Sequence, residues 1–397
     1  MKLMEKVSMF LVGFMLVPLT LVLHLLKYRI VNIFTERIGH LAIEPVCASI
    51  DYKYKYKLII IKYGNIANNY LLNLWKEDFI IIESKLTSWI LKSMTIFRLA
   101  SLDCRKYERV FNQPRLSFKV LAQKINLESL INIPPSDLHY LYGYLEKLGM
   151  RKSDWFVCIH AREEGFSPID DSIQSHRNSK IENYDKAINH ILSLGGWVIR
   201  LGDSSMRKIL FCDEKVIDYA NSNLKSELLD VLLCNHARFI LGSSSGICTL
   251  GSLLGTPCAI ANILPVADAW FTRFDIYTSK KIFSIKEQRV LTLFEMMTLP
   301  VCNFRFASQY DDAGYVCLEN SAEAIYNLCV EMVDFIDYNF ARSQKQLDVN
   351  NIISSFRTVK SNAYYSEANF SVSFFRQLQL YKDVKGSCSK LHPNHLD

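Results

Sequence analysis

Trp155-Phe-Val-Cys-Ile-His160-Ala-Arg162-Glu163, Gly195-Gly-Trp-Val-Ile-Arg200-Leu-Gly-Asp203 and Arg238-Phe-Ile-Leu-Gly242-Ser-Ser-Ser-Gly246 are three short apolar runs, each ending in polar or small residues. Runs of four to six apolar residues read as strands buried on both faces, the habit of parallel sheets. Helical patterns lie between them. Asn183–Leu194 is closed by Gly195-Gly196, Lys225–Asn235 comes next, and Ile247–Leu254 leads through Gly255-Thr256-Pro257 into a further strand, Cys258–Asn262. Strands are predicted at Trp155–His160, Trp197–Leu201, Val216–Tyr219 and Arg238–Leu241. The alternation predicts a doubly wound α/β domain, whose ligands sit beyond the carboxyl ends of the strands.

Upstream the same habit is fainter. Strands are expected at Arg29–Phe34, Lys57–Ile61 and, buried, at Phe79–Glu83. Helices are expected at Leu41–Ile50 and Asn68–Lys76, with another started by Pro134-Pro135-Ser136-Asp137 and ending near Gly149. At 397 residues the chain has room for about two domains at roughly 150 residues each. The expected division is an anchor at 1–29, an N-terminal domain at 30–150, a C-terminal domain at 151–342, and an extension with a flexible tail at 343–397.

Half the residues are hydrophobic, and 46 basic against 40 acidic side chains leave a net charge of only +6. That is no basic stripe of the kind nucleic acid requires. Lys53, Lys55 and Lys57 alternate with Tyr52, Tyr54 and Tyr56, which as a strand would place lysines on one face and tyrosines on the other, a solvated or membrane-facing edge. The 11 cysteines form no C-x-x-C pair, so buried thiols in a reducing compartment fit better than a disulfide framework or a zinc site. Val7–Leu26 is twenty residues without charge, flanked by Lys2 and Lys6 before and by Lys27 and Arg29 after. It is long enough to span about 30 Å of hydrocarbon, and an in-plane anchor or a cleaved signal are the competing readings. The basic residues after Leu26 favour a catalytic part on the cytoplasmic side.

The strand ends carry the chemistry. Gly242-Ser243-Ser244-Ser245-Gly246 joins a strand to a helix start, where small residues and unpaired amides suit a diphosphate; an ordinary capped turn has the same appearance. His160 and Arg162 alternate onto one side of their strand, and arginine can clamp a phosphate and neutralise a leaving diphosphate. Arg200 and Asp203 reach the same rim. The intervening loop adds Asp170-Asp171 and His176-Arg177-Asn178, where His176 could act as a general base. The chain has no D-x-D, so no metal site is expected. His40, after Gly39, is a second candidate base, and Glu295 could hold a ribose or sit on a surface helix.

These residues, with Asn183-Tyr184, Val216–Ala220, Lys225-Ser226, Asp230-Val231, Arg37-Ile-Gly-His40-Leu41 and Asp275–Lys280, resemble a bacterial glycosyltransferase family distantly similar to O-fucosyltransferase and α1,6-fucosyltransferase enzymes. The resemblance covers about 35 to 300. It implies a GT-B fold, two Rossmann-like domains facing a cleft, and a nucleoside-diphosphate sugar as donor substrate with no cofactor. It further implies Arg162 at the donor diphosphate. The strand ends and the loop between them add the rest of the expected donor set, His160, Arg162, Arg177, Arg200, Asp203, Ser243, Ser244, Ser245 and Gly246, with His176 or His40 and Arg162 as the expected catalytic groups. The motif around Arg162 differs from that of the fucosyltransferases, so GDP-fucose does not follow. Expected partners are a sugar nucleotide, a saccharide or lipid-linked acceptor and the membrane, in surface polysaccharide assembly. A non-catalytic scaffold, or a sugar-nucleotide epimerase or hydrolase, are the rival readings.

Overall fold

The computed structural model describes residues 2–104, 129–165, 168–266, 272–356 and 368–383. Residues 105–128, the tail after 383 and the side chain of Asp170 lie outside those described residues.

Isoleucine-rich runs form β1 (Tyr28–Asn32), β2 (Lys57–Ile61) and β3 (Ile80–Ile82), and the short Ser-Leu-Asp segment forms β4 (Ser101–Asp103). They make a parallel sheet in the order β3-β2-β1-β4. The second sheet uses β5 (Phe156–His160), β6 (Trp197–Arg200), β7 (Val216–Ile217), β8 (Ile240–Ser243), β9 (Cys258–Ile263) and β10 (Ile276–Ser279). A small antiparallel sheet follows, β11 (Lys281–Ser284), β12 (Arg289–Val290) and β13 (Tyr315–Leu318), and β14 (Asn369–Phe370) then returns to the edge of the second sheet. The full order is β14-β10-β9-β8-β5-β6-β7, all parallel. In both sheets the chain begins inside, winds to one edge, and then crosses to the other side. The reversals fall between β1 and β4 and between β5 and β8, the crevices where doubly wound sheets hold their ligands.

Several expectations are corrected. Phe79–Glu83 is not a buried strand: β3 is an edge with Ile80 44% exposed. The Lys/Tyr alternation is no strand, because α3 (Ile38–Tyr52) runs into it and a turn carries the chain to β2. That helix begins three residues before the expected Leu41. The polar loop 161–180 holds a helix at Pro168–Gln174. The extension after 342 contributes helices at Gln344–Phe356 and Val372–Asp383 as well as β14.

The amino-terminal apolar segment is two helices, α1 (Lys2–Met15) and α2 (Val17–Leu25), bent by 61°. Pro18 sits in the first turn of α2, where its missing N–H costs nothing. Among the described residues no single helix is long and apolar enough to cross a membrane, and the pair passes that test only together. One face of α1 is spent on α5 (Lys85–Met94) and the residues after it. A Cβ on Gly13 would lie 2.5 Å from the Ser93 carbonyl oxygen, Phe10 and Phe14 tilt against Phe97, and Glu5 accepts the Tyr63 hydroxyl at 2.6 Å.

The two sheets share a hydrophobic core. Leu41, Ala42, Val46, Leu71 and Leu72 of the first half join Leu229, Leu232, Leu250 and Leu253 of the second. At its centre α3 crosses the Gly246–Leu254 helix so closely that a Cβ on Gly39 would lie 2.7 Å from the Gly246 Cα.

Candidate functional site

The site is built at the reversal between β5 and β8. His160 lies in register with Gly242, and a Cβ on Gly242 would meet Cys248 Sγ at 2.6 Å and the His160 carbonyl oxygen at 3.1 Å. Only glycine lets strand, turn and helix close up there. Beyond the strand ends the Arg162 amide donates to Ser243 Oγ (2.8 Å), and the Ser179 amide donates to the Arg162 carbonyl (2.8 Å). The His160 ring is buried and donates from Nδ1 to the Leu201 carbonyl (3.1 Å). Burial pushes it down to about 4, so it is neutral at neutral pH.

Beside this turn four cationic side chains gather around His176. The His176 ring is only 7% exposed, stands 5.2 Å from the Tyr310 ring, and has no hydrogen-bond partner at either nitrogen among the described residues. Burial first, and then the charges of Arg177, Lys280, Arg162 and Arg305, push it down to about 3. Each cation is held in place. Arg162 donates to the Gln174 carbonyl (3.2 Å) and to Asn178 Oδ1. Arg177 donates to the Ser244 carbonyl (2.8 Å), tying the 175–177 turn to the glycine-serine turn. Lys280 donates to the Asn178 carbonyl (2.6 Å) and is lowered by burial, with Glu319 opposing. Arg305 donates to the carbonyls of Cys302 and Phe304, both at 3.2 Å. Gathered guanidinium and ammonium groups on a strand-end rim are the donor set for a phosphate-like anion.

The turn itself differs from its sequence reading. Ser243 is fully buried and spends its hydroxyl on the Arg162 amide, so its side chain is structural. Ser245 is the helix N-cap but makes no side-chain capping bond, donating instead to Cys248 Sγ at 3.9 Å. Gly246 is pressed against Gly39.

Arg200 is a clear correction. It is fully buried and bridges Glu163 Oε2 (3.2 Å) and Asp218 Oδ1 (3.0 Å), so it faces the interior and not the crevice. Asp203 stays near the rim and accepts the Ser205 amide at 2.8 Å. His40 falls in the first turn of α3, beside the Gly39–Gly246 contact. Its Nδ1 donates to Glu44 Oε1 (2.9 Å), and its ring meets Phe34 edge-on at 5.0 Å. Glu44 is fully buried and also accepts the Phe34 amide (2.7 Å). Glu295 is structural: it completes a capping box with Thr292 and pairs with Arg289 at 2.6 Å. Among the described residues no group of three or more His, Cys, Asp or Glu could hold a metal ion.

Sequence reading missed Lys280 as a site residue, although Asp275–Lys280 had been singled out, and missed Arg305 and Tyr310 entirely. Lys280 follows a strand end and was findable on that ground. Arg305 comes from an irregular stretch before the Ala307–Asp312 helix, where no period marks a rim position.

No protein-family model and no curated protein matches the chain. Among solved structures it is similar to a glycosyl transferase family 9 protein from Veillonella parvula DSM 2008, at 10% identity and a TM-score of 0.38, covering 64% of this chain and 86% of that one. It is also similar to TibC, described as a dodecameric iron-containing heptosyltransferase in complex with ADP-D-β-D-heptose, at 14% identity and a TM-score of 0.37 over 64% of this chain and 63% of that one. A second TibC structure, from enterotoxigenic E. coli H10407, gives 17% identity and a TM-score of 0.35, covering 64% of each chain. The matched part thus spans less than two thirds of TibC. None of these three is described as a fucosyltransferase.

Proposed function

We propose that the chain is a glycosyltransferase that moves a sugar from a nucleoside-diphosphate sugar to a hydroxyl of a saccharide or lipid-linked saccharide, in bacterial surface polysaccharide synthesis. The observation that carries this reading is the gathering of Arg162, Arg177, Lys280 and Arg305 at the β5–β8 reversal, beside the glycine-serine turn. These charges would hold the donor diphosphate and offset the negative charge that grows on it as the glycosidic bond breaks, work a metal ion does in other transferases. The family resemblance points to the same chemistry.

The two candidate bases are unequal. His176 lies among the four cations that would hold the donor diphosphate, so its ring would serve that anion and not the acceptor hydroxyl, which disfavours His176. His40 has its Nδ1 proton fixed on a buried carboxylate, the arrangement that orients an imidazole and stabilises its charged form. His40 with Glu44 is therefore our choice for the group that takes the acceptor proton. The apolar faces of α1 and α2 would rest in a membrane surface on the cytoplasmic side, close to a lipid-linked acceptor.

The test is a melting-temperature screen of the full chain in detergent against UDP, GDP, CDP and dTDP, with and without magnesium. A nucleoside diphosphate should raise the melting temperature without magnesium and fail to do so in Arg162→Ala, and the responding base names the donor. If none of the four has an effect, the transferase reading loses its support.

A further inference from the structure

His176 is not explained by packing alone. It is a buried imidazole with no hydrogen-bond partner at Nδ1 or Nε2 among the described residues. The groups that face it come from every side: Arg177 on its own turn, Arg162 beyond β5, Lys280 beyond β10, Arg305 before the Ala307–Asp312 helix, and the Tyr310 ring on that helix. Glu319, the carboxylate acting on Lys280, accepts from the Lys180 amide at 3.0 Å and from Asn183 Nδ2 at 3.2 Å. With these cations around it the ring stays neutral, and a neutral ring offers one donor and one acceptor that nothing among the described residues meets. An anion seated among the same four cations would reverse the local sign and accept hydrogen bonds from the ring.

We propose that His176 is a proton-coupled ligand of the bound diphosphate: the ring takes up one proton as the anion seats, donates as imidazolium to a phosphate oxygen, and gives the proton up as the anion leaves. This rests on the diphosphate reading of the site and adds to it a dependence on pH. Because the ring's value with the anion lies above its value without, binding tightens as pH falls through the higher one.

The experiment follows the histidine ring signals of the full chain in detergent by NMR from pH 8 to 5, with and without inorganic pyrophosphate. His176 is assigned by the signal lost in His176→Asn. Without pyrophosphate the ring should stay neutral throughout; with it, a midpoint should appear near the ordinary histidine value of about 6.5. The ratio of wild-type to His176→Asn affinity for pyrophosphate should then rise about tenfold between pH 7.5 and 5.5, the ligand's own protonation cancelling in the ratio. Should the variant not fold, proton uptake by the wild type, from calorimetry in buffers of different ionisation enthalpy, decides the question. Pyrophosphate binding with an unmoved ring, or with no proton taken up beyond the ligand's own, overturns the coupling and leaves the diphosphate reading standing. Absence of pyrophosphate binding at every pH removes both.

Discussion

Arg162 and Arg200 both follow strands whose carboxyl ends face one rim, yet their surroundings give them opposite duties. Arg200 bridges Glu163 and Asp218 with no exposed surface, so Arg200→Met would leave two carboxylates facing each other without their cation. Breaking such a buried pair costs roughly 3–5 kcal/mol, and the variant should melt well below wild type. Arg162→Ala should keep a melting temperature near wild type and lose well over tenfold in turnover. Equal melting temperatures for the two variants would show that Arg200 does not support the fold. Sequence alone could not separate the two residues. Each is an arginine at a strand end, and what divides them is Asp218 on a segment eighteen residues further on. His160 allows a second test at this scale. Its folded value of about 4 lies below the ordinary 6.5, so the unfolded chain takes the proton first. The stability that the neutral ring allows is present above about pH 6.5 and is lost as pH falls toward 4. His160→Gln removes this loss, so its deficit against wild type should shrink by about 1 kcal/mol per pH unit between about 6 and 4.5 in urea melts. Parallel curves for the two proteins would refute this account.

From β5 to β9 the helices and strands, Pro168–Gln174 apart, were legible to within about two residues, because short apolar runs, Gly195-Gly196 and Gly255-Thr256-Pro257 mark their ends locally. The start of α3 was not. Gly39 is a poor helix former and reads as loop, but it sits in the first turn because only a bare Cα fits against Gly246. Gly39→Ala should therefore push α3 off the Gly246–Leu254 helix and cost about 1–3 kcal/mol, the usual penalty for overpacking. Gly143, inside the Leu138–Lys147 helix, has nothing within 4 Å of where its Cβ would lie. Gly143→Ala should instead stabilise by about 0.5–1 kcal/mol. Thermal melts of the two variants decide this, and a Gly39→Ala protein as stable as wild type would mean that the helix contact is loose. The strand β14 was illegible for a different reason. Two residues carry no periodicity, and they join the sheet through a long-range pairing with β10.

At the scale of the molecule, the proposed membrane contact turns on the helix pair α1 and α2. Composition gave an uncharged run of spanning length, but the bend between α1 and α2 and the packing of α1 on α5 depend on contacts no window of hydropathy contains. The face turned away from the protein is apolar along both helices: Leu3, Met4, Val7, Phe10, Leu11, Phe14 and Met15 on α1, with Leu19, Leu21, Val22 and Leu25 on α2, are exposed. Exposed Lys6 and Lys27 stand beside these helices, as suits a segment lying at an anionic surface. Spanning would require α1 to give up Ser93, Phe97 and Tyr63, whereas lying in the interface costs it none of these contacts. We therefore expect both ends of the helix pair on the same side of the bilayer. A protease-sensitive tag placed before Met1 should be protected in intact spheroplasts and cut in inverted vesicles, as a tag after Asp397 should be. Cleavage of the amino-terminal tag alone from outside the spheroplast would establish a spanning segment. Met15 and Leu25 are 76% and 77% exposed, so exchanging both for glutamate should abolish flotation with anionic liposomes and leave the melting temperature in detergent unchanged.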